Sequence, residues 1–259
     1  MRARFDAGVT LFCATVFMSA IAAAQTPPAP QGGRGEGRGT PPPPMTNLQI
    51  FPKDAPRPEV VTAMQGFALA LGVRCEHCHV DEGPGKQDFA SDDKKTKTTA
   101  RQMMVMTREI NEKVPAAIGK SASEATRVQC VTCHRGVTIP KQLGDILIDA
   151  DQTSGSEGAI AKYRELRKQY YGGMAYDFSE NGLVIVGQRL IQASKPDDAL
   201  ALLQLNTEFY AQSARTYISM FQAYQRKNDT ASAIKSLEKA VELDPQNAQA
   251  KRLLEQLKK

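Results

Sequence analysis

Apolar residues recur at the spacing of one helix face in several segments of the chain. The first segment, 58–71, has a proline in its first turn and Gly72 at its exit, both typical of helix ends. Its apolar stripe consists of Val60, Val61, Met64, Phe67, Ala68 and Leu71. A second stripe, over about 98–114 and closed by Pro115, consists of Met103, Met106, Ile110 and Val114, with Met104 beside them. The pattern predicts an all-α chain with little sheet.

The last third of the chain shows a repeated helical pattern. Ala199 aligns with Ala233 at an offset of 34 residues, which is the period of tetratricopeptide repeats, and about two units and a final helix fit into 180–259. Such a region either docks a protein partner or only stabilises the fold, and the sequence favours neither interpretation. The polar stretch 144–158 predicts a domain boundary, and 86–97, rich in Asp and Lys, predicts an exposed loop.

The N-terminus has the pattern of an export signal. Arg2 and Arg4 precede an apolar run, 7–24, that ends in small residues, so cleavage is expected after Ala24. The alternative is an uncleaved membrane anchor, because a run of about 18 residues is marginal for a span. Residues 27–44 are mostly Pro and Gly and predict a flexible linker.

Composition narrows the possible functions. The formal net charge is +5 at pH 7 and the mean hydropathy is -0.39. Only the signal-like run approaches the length of a membrane span, which excludes a polytopic membrane protein. Cleavage after Ala24 leaves a net charge of +4, and this excess is too small to indicate a nucleic-acid partner.

Two CxxCH motifs, at 75–79 and 130–134, are the candidate chemical sites, and they contain every cysteine that follows the signal. Two thiols three residues apart in a helical turn reach the two vinyl groups of one haem, and the adjacent His lies under the iron as proximal ligand. We therefore expect two covalently bound haem c groups. The predicted attachment sites are Cys75, Cys78, Cys130 and Cys133, and the predicted proximal ligands are His79 and His134.

The sequence supports three other roles for these cysteines less well. A four-cysteine zinc site usually has its CxxC pairs about 15–20 residues apart, whereas Cys78 and Cys130 are 52 positions apart. A thioredoxin-like CxxC belongs to a βαβ unit, which the pattern does not predict. Disulfides suit an exported chain, but they do not require a His after each pair.

The sixth ligands of the two irons must be methionines, or the irons stay open. The only other His of the chain is His77, inside the first motif. Met64 is centred on its stripe, 11 residues before Cys75. Core packing explains any one of the three methionines in 103–106 more simply than iron ligation does. It explains all three methionines together less well.

The residues around the motifs, over about 46–140, resemble the cytochrome c subunit of photosynthetic reaction centres. The similar segments are Asn47-Leu48-Gln49, Phe51-Pro52-Lys53, Gly66-Phe67, Leu71-Gly72-Val73, Ala100-Arg101-Gln102-Met103-Met104-Val105-Met106, Ile110-Asn111 and Cys133-His134-Arg135-Gly136. The resemblance implies that a helix before each haem segment donates a Met to the iron: Met64 to the first haem and Met103 to the second, with Met106 as the fallback. Reaction-centre members carry four haems, whereas this chain has motifs for two.

Together these features predict an exported dihaem c-type cytochrome that transfers electrons between redox protein partners and is not an enzyme. The predicted domains are a signal peptide (1–24), a linker (25–45), a dihaem domain (46–143) and a tetratricopeptide-like helical domain (155–259). We expect a periplasmic protein that contacts the membrane only peripherally or through an anchor retained on the outer face of the inner membrane. The alternatives are a peroxidase-like dihaem enzyme with one open haem, and a repeat scaffold with a redox-sensing haem domain.

Overall fold

The structure, a computed structural model, describes residues 44–83 and 86–258. The predicted signal peptide, 1–24, and nearly all of the predicted linker, 25–45, lie outside these ranges. Within them, no helix combines the length and the hydropathy that a membrane crossing requires. Apart from one short hairpin, the regular structure of the described residues is helical, so the predicted all-α class is confirmed.

The first helix, α1, spans Arg57–Leu71 and confirms the segment predicted from its apolar stripe. Pro58 occupies its first turn, where a missing amide hydrogen costs little. Gly72 ends the helix at φ 65°, in the left-handed region, and its amide donates to the carbonyl oxygen of Leu69. A 3₁₀ turn (Cys75–His77) follows, and then an antiparallel hairpin of β1 (Val80–Asp81) and β2 (Gln87–Asp88).

The second helix, α2, spans Lys95–Ala117, so the predicted end at Pro115 is wrong. A proline removes one amide donor, but near the end of a helix this breaks only one backbone bond. The amide of Ile118 still donates to Val114, and the carbonyl oxygen of Pro115 accepts from the amide of Lys120. The last turn therefore closes in spite of the proline.

The segment 86–97 is only in part the exposed loop that its charges predict, because 89–94 is irregular and largely exposed but regular structure flanks it. It contains β2 and the start of α2, and Lys97 is only 8% exposed. The Lys97 ammonium group donates to the carbonyl oxygens of Phe89, Ala90 and Ser91, at 2.8, 3.1 and 2.6 Å. This charge can be buried because each of its hydrogens has an acceptor.

The second CxxCH motif forms a short helix, α3 (Cys130–His134). The long helix α4 (Leu143–Tyr170) follows it and leads to the C-terminal part. Ser154 and Gly155 have non-helical backbone angles and break α4. The predicted boundary segment, 144–158, is thus mainly helical, and Leu147 and Ala159, on the two sides of the break, are buried in the same core. The division of the chain into domains at this segment stays a prediction.

The C-terminal part is a series of packed helices: α5 (Glu180–Gln192), α6 (Pro196–Phe209), α7 (Ala214–Arg226), α8 (Thr230–Leu243) and α9 (Ala248–Leu257). Helices α5, α7 and α9 begin 34 residues apart, and so do α6 and α8. Helix α5 packs on α6, and α7 packs on α8. The period found in the sequence is therefore also the period of the helices, although a tetratricopeptide array remains a proposal.

Candidate functional site

The second CxxCH motif is a single helical turn whose histidine points into the protein. His134 is 9% exposed, and its Nδ1 atom lies 3.0 Å from the carbonyl oxygen of Val137. A carbonyl oxygen only accepts hydrogen bonds, so Nδ1 is the donor, and in the neutral ring Nε2 then carries the lone pair. This is the tautomer that a metal-ligating histidine requires.

The four predicted attachment cysteines are all unpaired. Cys75 and Cys133 are exposed, whereas Cys78 and Cys130 are half-buried, and burial raises the pKa of both half-buried thiols. The described residues contain no group of three or more His, Cys, Asp or Glu side chains that could hold a metal ion. Neither the disulfide nor the zinc interpretation gains support.

A cavity of about 1370 Å³ opens beside Cys130. One wall is a face of α1, another is a face of α2, and the third is the segment 120–131, which leads into α3. The lining is mainly apolar, and it includes Ala63, Phe67, Ala70, Met104, Pro115 and Val131.

The region before α4 buries few apolar side chains. Among its described residues these are Leu48, Val60, Ala70 and Val137. The only buried residue of α2 is Lys97, while Met106 and Ile110 on its apolar stripe are 45% and 37% exposed. An apolar group beside Cys130 would fill this space and pack against α1 and α2, but neither Cys133 nor His134 is among the residues that line it.

The structure brings one of the candidate methionines to the cavity. Met104 lines it, whereas Met64, Met103 and Met106 do not. Successive residues of an α-helix are rotated by about 100°, so Met103 is directed to a different side of α2 than Met104. Met64 and Met103 are half-buried and Met106 is exposed. The predicted ligands thus lie outside the cavity beside Cys130.

The first motif, 75–79, is fixed to the start of α2. The hydroxyl group of Thr96 donates to the carbonyl oxygen of His77 at 2.5 Å. The ammonium group of Lys94 donates to the carbonyl oxygen of Glu76. These two contacts hold the turn of the motif against the helix.

The environment of His79 favours its neutral form. Its ring lies edge-on to Phe89, with 4.9 Å between the ring centroids. Burial, followed by the charges of Lys97 and Lys94, lowers the pKa of His79, and its buried Nδ1 atom has no hydrogen-bond partner among the described residues. A neutral imidazole is the form that ligates iron.

Helix α1 connects the two motifs. It ends four residues before Cys75, and it packs against α3. The amide of Gly136, just after the second motif, donates to the carbonyl oxygen of Ala70 in the last turn of α1, at 2.9 Å. The same helix therefore leads into the first motif and walls the cavity of the second.

Sequence reasoning missed the polar contact that fixes the approach to α3. The side-chain amide of Asn111 donates to the carbonyl oxygen of Val128 at 2.8 Å, and the amide of Val128 donates back to Oδ1 of Asn111 at 2.7 Å. The only advance indication was the presence of Asn111 among the residues that resemble a known family.

The fold and the motifs define a class: an all-α protein with one CxxCH turn that follows α1 and a second that packs against α1. The model of the photosynthetic reaction centre cytochrome c subunit family matches residues 56–222, and the chain belongs to this family. The match begins with α1 and reaches α7, so it extends well beyond the residues that carry the resemblance in the sequence.

Individual relatives match shorter segments. The chain is 35% identical over 85 residues to the photosynthetic reaction center cytochrome c subunit of Roseobacter denitrificans, 33% over 69 to that of Rubrivivax gelatinosus, and 40% over 67 to that of Thermochromatium tepidum. These alignments cover 32%, 27% and 26% of this chain and 21%, 16% and 14% of the relatives. The chain therefore matches only about a fifth or less of the length of each relative.

Proposed function

We propose that this chain is an exported c-type cytochrome that binds two covalent haem c groups and transfers electrons between protein partners. The observation that carries the proposal is His134, which is buried in a CxxCH turn with Nδ1 bonded to Val137 and Nε2 free to bind iron. A mainly apolar cavity lies beside Cys130 of the same turn. Membership of a cytochrome c subunit family supports the same cofactor.

Each haem has its own set of residues in this proposal. The first is held by Cys75, Cys78, His79 and Met64, and the second by Cys130, Cys133, His134 and Met103. The haem supplies reversible one-electron chemistry at its iron. The chain fixes the tautomer of His134, excludes water with the apolar faces of α1 and α2, and raises the reduction potential with methionine sulfur.

The partners are proposed to be redox proteins outside the cytoplasm, with residues 1–24 serving as the export signal. The helices α5 to α9 form the docking surface in this proposal. Their 34-residue period and the direct packing of α5 on α7 support an array with one continuous face.

The test of the axial ligands is near-infrared absorption of the ferric protein, in which methionine sulfur on iron gives a weak band. We expect a band with the intensity of two Met-ligated haems. Met64→Ala should lose half of this intensity, and Met103→Ala should lose the other half. Each variant also lowers the potential of one haem. Met106→Ala and Met104→Ala are the controls.

The outcomes separate the alternatives. Loss of the band in Met104→Ala instead of Met103→Ala assigns the second ligand to the methionine that lines the cavity. High-spin ferric iron in the unaltered protein contradicts the electron carrier and favours a peroxidase-like enzyme with an open haem.

A further inference from the structure

Helices α5, α7 and α9 each carry a stripe of exposed polar side chains at equivalent positions of their 34-residue period. Residues seven and eleven positions apart lie on nearly the same side of an α-helix, because each residue adds about 100°. The stripes consist of Asn181, Gln188 and Gln192 on α5, of Arg215, Gln222 and Arg226 on α7, and of Gln249 and Gln256 on α9. We call these residues the amide-arginine face, which contains amides and guanidinium groups but no carboxylate.

Contacts between the helices hold these stripes side by side. The guanidinium group of Arg215 on α7 donates to Oδ1 of Asn181 on α5 at 3.1 Å, and this bond joins residues 34 positions apart. Helix α5 packs against α7. Phe221 of α7 and Ala250 of α9 are buried in the same apolar cluster. The three stripes therefore belong to one face of the helical array.

The two arginines give this face a positive charge. Helix α7 contains no acidic residue, and among the described residues neither Arg215 nor Arg226 has an ion-pair partner. The acids of α6 are paired elsewhere, Asp197 with Lys227, Asp198 with Lys195 and Glu208 with Arg164. Glu180 accepts a hydrogen bond from the hydroxyl group of Ser213 at 2.6 Å, and Glu255 lies about 120° around α9 from its stripe.

Amides and guanidinium groups in this arrangement suit a ligand that has both peptide groups and carboxylates. The side-chain amide of glutamine donates and accepts hydrogen bonds, as a peptide group does. A guanidinium group binds a carboxylate through two parallel hydrogen bonds. Resting on the docking role of α5 to α9 in the proposed function, we propose that the amide-arginine face binds an extended, acidic segment of a partner protein. The arginines bind its carboxylates, and the glutamines bind its main chain.

The spacing of the two arginines defines the partner segment further. Arg215 and Arg226 are 11 residues apart, which corresponds to about 16 Å along α7. An extended chain covers this distance in about five residues, and alternate side chains of such a chain point to the same side. A segment with an acidic residue at every second position therefore reaches both guanidinium groups at once, while its main chain passes Gln222 between them.

The test measures binding of a fluorescent peptide of alternating Glu and Thr to the full-length haem-loaded protein by fluorescence anisotropy. We expect saturable binding of this peptide and much weaker binding of a matched peptide of alternating Gln and Thr. R215Q/R226Q should raise the Kd about tenfold or more, because two charge-assisted pairs are lost. Q188A/Q222A should raise it less, because neutral hydrogen bonds are weaker. K235Q/K251Q removes the same charge from exposed positions outside the face and should change the Kd by less than about twofold.

The inference is overturned if the unaltered protein does not bind the Glu-Thr peptide, or if R215Q/R226Q and K235Q/K251Q raise the Kd equally. Equally tight binding of a single-stranded oligothymidine of the same charge also overturns it, because this result indicates a general anion surface. If R215Q/R226Q does not accumulate, Arg226→Gln and Arg226→Lys are compared. Arg226→Gln must weaken binding more, because Arg226→Lys keeps the charge.

Failure of this inference is distinguishable from failure of the proposed function, because haem content is measured on the same samples. Two covalent haems without peptide binding overturn the amide-arginine face as a docking site and leave the electron carrier intact. Absence of haem from the unaltered protein overturns the electron carrier, and binding of the Glu-Thr peptide by that protein would still support the docking site.

Discussion

Gly72 and Gly136 approach so closely that a Cβ atom on Gly72 would overlap the carbonyl oxygen of Gly136. Gly72 closes α1, and Gly136 follows the second CxxCH turn. The approach keeps the end of α1 in contact with that turn, so both motifs are anchored to the same helix end.

Substitution of Gly72 tests this contact. Gly72→Ala is expected to lower the free energy of unfolding by about 1–3 kcal/mol, because it adds left-handed strain and overlap with Gly136. Gly119→Ala is the matched control, since Gly119 also has φ 65° but has nothing within 4 Å of an added Cβ. Denaturant unfolding measures both variants, and equal losses contradict the importance of the close approach.

Asn111 is expected to stabilise the segment that leads into α3. Asn111→Ala leaves the amide and the carbonyl group of Val128 without their partners and lowers the free energy of unfolding by about 1–3 kcal/mol. Glu109→Ala, at an exposed position of the same helix, is expected to change it by less than about 0.5 kcal/mol. Urea unfolding compares the two, and similar values for both would show that the paired hydrogen bonds are unimportant.

Asp92 gives stability a defined pH dependence. Hydrogen bonds from Arg101 and then Asn47 hold the pKa of Asp92 well below its usual range. A carboxyl group with a lowered pKa in the folded state adds stability that is complete above its unfolded pKa of about 3.9 and is lost as the pH falls through the folded-state pKa.

The matching experiment is thermal unfolding of Asp92→Asn and of the unaltered protein across pH. The variant is expected to melt at a lower temperature near neutral pH, and the difference should shrink below about pH 3. A difference that stays constant down to strong acid would rule out the proposed origin of the pH dependence.

Lys195 and Asp151 join the start of α6 to α4 through a pair 2.6 Å apart, in which the carboxylate is buried. Lys195→Met leaves that buried carboxylate without its cation and is expected to lower the denaturant midpoint. Lys227→Met is the control, because its partner Asp197 is 75% exposed, and its midpoint is expected to fall less than that of Lys195→Met. Denaturant unfolding measures both midpoints. An equal fall in midpoint for Lys227→Met and Lys195→Met would show that burial of the Asp151 carboxylate does not make its ion pair more important.

The sequence predicted those features that depend on local pattern. The apolar stripe and the exit glycine of α1 lie within one short segment, and the repeat period is visible because the same positions recur. The end of α2 was missed because Pro115 breaks only one backbone bond in a last turn.

The remaining features depend on contacts between distant segments. Lys97 is buried because the chain after the hairpin supplies three carbonyl acceptors, and composition alone cannot predict this. Likewise, only the packing of α2 distinguishes Met104, which lines the cavity, from Met103, which does not.

Covalent attachment of two haems is tested most directly by intact mass spectrometry of the protein exported from cells that mature c-type cytochromes. We expect a polypeptide with the added mass of two haems. C75A/C78A and C130A/C133A should each retain one haem. A polypeptide with no added haem mass, or two haems retained in either variant, would contradict the dihaem cytochrome.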